Sequence, residues 1–295
     1  MDFGDAGPCR PDLGAPVQST HVDARPGATT RGAAAVRPRA GLSGRFLVVL
    51  AAGILLYAVA ANALAATGNP LYVPSLLLLG SAIVPATFAT LLYETQPALR
   101  VTVPALVAAA VVGGVIGTAV AGRLEFDAVH RLGTLPLLGI GIIEEGAKLL
   151  LPVAVLLLVP GLRAADGLVL GVTVGMGFAA LETLGYAFVA LLTDGGRIGP
   201  VQHLLLFRGV ASPAGHAAWT GFACAALFTA HAARPRLRAR LRAWLRFASV
   251  FALAVVLHAL WDGTSSPVGY ATLAAVSLTL LLGAVVAARR PPPAR

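Results

Sequence analysis

Charge is what this chain has least of. Only 12% of its 295 residues are charged and 57% are hydrophobic, where a soluble domain has about a quarter charged. That composition excludes an ordinary water-soluble fold. Lysine is rarer still, because Lys148 is the only one among 22 basic residues. Two cysteines, Cys9 and Cys224, without Cys-x-x-C spacing exclude a redox motif and a cysteine zinc cluster, and one in a tail with the other in an apolar run is not a pair expected to join. Aromatic residues make up 6% and are not interleaved with the arginines, so the net charge of +9 lacks the stacking platform that a nucleic-acid partner needs. A His-Glu-x-x-His metal helix and an inverted repeat of the transporter kind are also missing.

What remains is apolar sequence in long runs. Crossing hydrocarbon takes about 20 residues, and stretches near that length lie at 46–66, 71–93, 103–121, 135–159, 166–192, 212–232, 247–263 and 267–288. They predict an all-α, polytopic membrane bundle of about eight transmembrane helices. Arginines mark one side of it. Six precede the first run, six lie between Arg234 and Arg246, and Arg289, Arg290 and Arg295 follow the last. Eight crossings put all three groups on one face, which the positive-inside rule makes cytoplasmic. Both termini are therefore expected in the cytoplasm of a multi-pass cell-membrane protein. Residues 1–45, rich in Pro, Gly, Ala and Arg, read as a disordered tail, 46–288 as the membrane domain, and 289–295 as a second tail.

Inside these runs a few ionisable residues stand out. Such groups in a membrane face a protein interior or water and mark chemistry or transport. Glu144, Glu145 and Lys148 share the fourth run, with i,i+4 and i,i+3 spacings that let the lysine neutralise either acid. One acid is left over, and adjacent residues on a helix point about 100° apart, so the two cannot play one role. Phe178 and Glu182 lie one turn apart on the fifth run, beyond the small face of Gly167, Gly171 and Gly175. At about 1.5 Å per residue, Glu144, Glu145 and Glu182 all come about 15 Å below the outer face. His216 and the i,i+4 pair His258 and Asp262 lie slightly above them, and Asp262 is placed to orient one imidazole. His203 and His231 read as interfacial residues. A structural ion pair, a helix-packing glutamate and a helix-end cap remain the plainer readings of these groups.

The ordered set Glu144-Glu145-x-x-Lys148, Phe178-x-x-x-Glu182, His216 after a glycine and His258-x-x-x-Asp262 resembles the PrsW family of intramembrane proteases, relatives of the CAAX prenyl endopeptidases and of a gamma-secretase subunit. The likeness spans about 100–262. It implies an endopeptidase that cuts a single-pass, anti-sigma-factor-like protein within or near the bilayer, with Glu144, Glu145, Glu182, His216 and His258 as catalytic residues and Lys148, Phe178 and Asp262 in support. Thr183 departs from the Asn that many members have after the second motif's Glu, which puts the hydrogen bonding there in question. Two chemistries use the same side chains. In one, Glu144 or Glu145 is a general base on water and the imidazoles stabilise the oxyanion; in the other, Glu182, His216 and His258 hold zinc with a fourth position for water. The missing metal helix favours the metal-free route. A proton- or cation-coupled transporter and an inactive membrane scaffold are the readings from other classes.

Overall fold

The computed structural model describes residues 42–96, 99–233 and 237–289, and among these no strand occurs. The order is α1 (Arg45–Thr67), α2 (Val73–Thr95), α3 (Val103–Leu132), α4 (Leu137–Leu158), α5 (Ala164–Thr193), α6 (Ile198–Ala211), α7 (His216–His231), α8 (Leu237–Gly263) and α9 (Pro267–Arg289). The all-helical class expected from the apolar runs is thus observed. Residues 1–41, with Cys9, and residues 290–295 lie outside the described residues. Cys224 is a free, buried cysteine of α7.

Each of the eight apolar runs is occupied by a helix, with three differences. The helix over 103–121 continues to Leu132, because its polar end is still helical: Arg123 pairs with Asp127 at 3.0 Å across one turn, and the chain turns only at Gly133, whose φ of 73° suits glycine. Between the fifth and sixth runs lies α6, whose 14 residues are too few to register as a span. The arginines Arg238 to Arg246 are the first turns of α8 and not a loop, in keeping with the good helix propensity of arginine.

Among the described residues six helices, α1, α2, α3, α5, α8 and α9, are long and apolar enough to cross a membrane. Two expected spans fall outside that number. α4 carries three ionisable residues within 22, and α7 has 16 residues.

The bundle is built around α5. Its most apolar stretch is 78% buried, against 0% for α1, which lies at the periphery. In lipid the hydrophobic effect does not drive helix association, so close backbone approach at small residues does much of the work. The glycine face read from the sequence packs on α7: side chains at Gly167, Gly171 and Gly175 would collide with Phe228, Cys224 and the backbone of Thr220 and His216. Gly177, also on α5, faces the backbone of Ala110 on α3, and Gly114 in turn faces Gly177. These contacts fix the height of α3, α5 and α7 relative to one another, and with it the height of the groups they carry.

Candidate functional site

Glycines also bring the fourth and eighth helices together. A Cβ at Gly141 would lie 2.9 Å from the Val255 carbonyl oxygen and 3.5 Å from His258 Cβ. The bare backbone there lets His258 reach the acids one turn further along α4. Gly117 of α3 gives similar room to Phe178, whose ring a Cβ would meet at 3.0 Å. His216 is the first residue of α7, set there by the turn Ser212–Ala214 that contains Pro213 and follows the end of α6 at Ala211.

These placements gather groups from three helices, α4, α5 and α7, around one ammonium. Lys148 Nζ lies 3.1 Å from Glu144 Oε2, 2.8 Å from Glu145 Oε1 and 2.8 Å from His216 Nδ1, and 4.1 Å above the centre of the Phe178 ring. Its burial is complete, which is tolerable only because every side of the charge is matched. An ammonium can only donate, so His216 Nδ1 accepts and the ring proton sits on Nε2. That nitrogen faces Glu182 Oε2 at 3.0 Å.

The adjacent acids divide their roles as the helix geometry requires. Glu145 is 1% exposed; its Oε1 takes Lys148 and, at 2.9 Å, His258 Nδ1, while its Oε2 accepts from Thr220 at 3.4 Å. Glu144 faces a cavity of about 370 Å³. Glu182, His216 and Asp262 line the same cavity, as do the aromatic side chains Trp261 and Tyr270. His258 Nε2 lies between Glu144 Oε2 at 3.5 Å and Asp262 Oδ2 at 3.3 Å, so the His258 and Asp262 pairing expected from i,i+4 spacing is present. The indole of Trp219 stacks on His258 at 4.9 Å and is held by donating to Ser277 at 3.0 Å.

All eight residues singled out in the sequence, Glu144, Glu145, Lys148, Phe178, Glu182, His216, His258 and Asp262, therefore meet at or beside one cavity. His203 and His231 are exposed and take no part in it. Two residues were overlooked. Arg208 of α6 pairs with Glu182 at 2.7 Å, donates to Thr183 Oγ1 at 3.2 Å and lies 4.3 Å over the Tyr186 ring. The threonine that replaces the familiar asparagine thus keeps a hydrogen-bonding role. Glu125 of α3 also lines the cavity, with one buried carboxylate oxygen that has no partner among the described residues. A lone arginine in an otherwise apolar stretch was the available signal for Arg208, hidden because α6 is not a span.

The donor set suits a metal ion. Glu144, His216 and His258 can each offer one ligand atom, all within 4.8 Å of one another, and two imidazoles with one carboxylate beside an open cavity are a zinc-type set with room for water; ligation through His216 Nε2 would pass the proton there to Glu182. The carboxylate placed to complete such a set is not the one expected from the sequence. Glu182 is engaged by Arg208, and Glu144 joins the two histidines in its place. Glu145, on His258 Nδ1, is the kind of outer partner that orients a ligating imidazole, and it leaves Nε2, which faces Glu144 and Asp262, as the nitrogen for the ion.

Comparison with known families gives one result. The sequence model of the family described as PrsW family intramembrane metalloprotease matches residues 73–288, a stretch that contains every residue of the cavity wall. No curated protein and no solved structure matches the chain.

Proposed function

The chain belongs to the PrsW family of intramembrane metalloproteases, and from that premise we propose that it hydrolyses a peptide bond of a single-pass membrane protein, of the anti-sigma-factor kind, in the cell membrane. The observation that carries this reading is that Glu144 and His216 line a polar cavity inside an apolar bundle, with His258 directly behind Glu144 and ligand atoms of all three within 4.8 Å of one another. Counting α4 and α7 with the six long apolar helices gives eight crossings. Both termini and the arginine-rich start of α8 then share the cytoplasmic side, and the cavity opens toward the other.

Glu144, His216 and His258 would hold the ion, which when bound would polarise the scissile carbonyl and acidify a water for attack. The chain's own residues supply the rest. Glu182 lines the cavity beside His216 and is fixed by Arg208; it takes a proton from the attacking water and returns it to the leaving amine, a role worth about 10²- to 10⁴-fold. Glu145 does not reach the cavity. It acts by position, tying His258 of α8 to α4 and fixing the Lys148 ammonium that reaches His216, so that Glu144 and the imidazoles keep their relative height. Trp219 fixes the His258 ring plane from the side away from the acids.

The test is a comparison of membrane proteomes from cells carrying the wild type and Glu144→Gln. A single-pass protein that accumulates in the variant, and that the purified wild type cuts in proteoliposomes, is the expected result. Indistinguishable proteomes together with gradient-driven uptake by the wild type would overturn the protease reading in favour of transport.

A further inference from the structure

A second cleft lies at the other end of the bundle, far along α7, α8 and α9 from the acids. α8 and α9 each pack on α7 and only slightly on each other, and the wedge between them encloses about 680 Å³. Its walls are apolar and small, with Gly283 and Ala284 on α9 and Ala225 on the α7 floor. The two threonines within it, Thr229 and Thr279, spend their hydroxyls on their own helices, each donating at 2.7 Å to the carbonyl four residues back. The wedge therefore offers hydrocarbon contact and no polar recognition along its length.

Its cytoplasmic end is different. Arg242 and Arg246, one turn apart on α8, line the mouth, and among the described residues neither pairs with a carboxylate. The dimensions identify the occupant. From Arg242 to Leu253 along α8 is about 16 Å at about 1.5 Å per residue, and one leaflet's hydrocarbon is half of about 30 Å. A transmembrane helix of a substrate or a second copy needs the full thickness, whereas an acyl chain under a headgroup needs this half. The geometry points to a binding site for one anionic glycerophospholipid of the inner leaflet, its phosphate between Arg242 and Arg246 and one acyl chain in the wedge between α8 and α9.

The site goes beyond the hydrolytic reading and does not depend on it. The full chain, purified in a neutral detergent, is mixed with phosphatidylglycerol or phosphatidylcholine at equal mole fraction, and retained lipid is counted by native mass spectrometry. One phosphatidylglycerol per chain is expected, retained at least tenfold better than phosphatidylcholine. The double variant Arg242→Gln, Arg246→Gln should lower that preference to under twofold. Gly283→Leu should abolish retention with both arginines intact, since a Cβ at Gly283 meets nothing within 4 Å and the larger side chain enters open cleft. Arg238→Gln with Arg240→Gln, outside the lining, should leave retention unchanged. Equal retention of the two lipids, equal loss in the Arg238 and Arg240 control, or a chain dimer that disappears in Gly283→Leu would each overturn the assignment. Circular dichroism of every variant confirms that a loss is not unfolding.

Discussion

His258 Nδ1 lies 2.9 Å from Glu145 Oε1, joining helices separated by 113 positions in sequence. The carboxylate that receives it also receives Lys148, so one buried oxygen of α4 holds both the ammonium one turn along and the imidazole of α8. The neighbouring acid, Glu144, faces the cavity instead. This division makes the two glutamates separable by experiment.

Glu144→Gln should abolish cleavage while leaving most of the stability, because Lys148 keeps Glu145 and His216. Glu145→Gln should lose both, with a destabilisation of about 3 to 5 kcal/mol for breaking a buried charge pair. Thermal unfolding in detergent beside a cleavage assay separates them; equal stability loss in the two variants would contradict the assigned roles.

Metal content should follow the three proposed ligands. The wild type should carry one equivalent of a zinc-type ion, and His216→Ala, His258→Ala and Glu144→Ala should carry little. Glu145→Gln should weaken affinity by about 10- to 100-fold, as loss of an imidazole's outer partner does. Elemental analysis and competition with a chelator read this out, and full occupancy in all three ligand variants would return the site to the metal-free route.

Arg208→Gln should reduce turnover, because it frees Glu182 from its 2.7 Å partner. Thr183→Val removes only the hydroxyl that Arg208 reaches and should cost about 1 kcal/mol with turnover nearly intact. Steady-state kinetics on a cleavable single-pass substrate distinguish the two; a larger defect in Thr183→Val than in Arg208→Gln would invert the assignment.

Gly141→Val should leave every catalytic group in place and still impair the enzyme. Its side chain meets the Val255 carbonyl and pushes α8 from α4, and a displacement of about 1 Å at a reacting centre costs about 10²-fold. Near-normal cleavage by this variant would show that the α4 and α8 spacing does not govern the site.

The sequence disclosed the site better than it disclosed the helices. Ionisable residues in apolar runs are so costly that each one carries information, and the shared depth of Glu144, Glu145 and Glu182 was computable from helical rise alone. What the runs could not show was which acid faces water, since that depends on Thr220 of α7 and His258 of α8 closing around Glu145. Nor could they show that Glu144 joins the histidines while Glu182 pairs with Arg208. That partner sits on α6, too short to look like a span. The extensions of α3 and α8 were missed for the opposite reason: Arg123, Asp127 and the arginines before Phe247 are charged, and a hydropathy reading ends a helix where charge begins, although the backbone continues.

The peripheral helix α1 has no buried residue, and the family match starts only at residue 73. Nothing in the reaction needs it. Its service under the proposed topology is parity: removing one crossing from eight would oblige the remaining seven to insert with their first end outside, or to turn the whole bundle over and present the cavity to the wrong compartment.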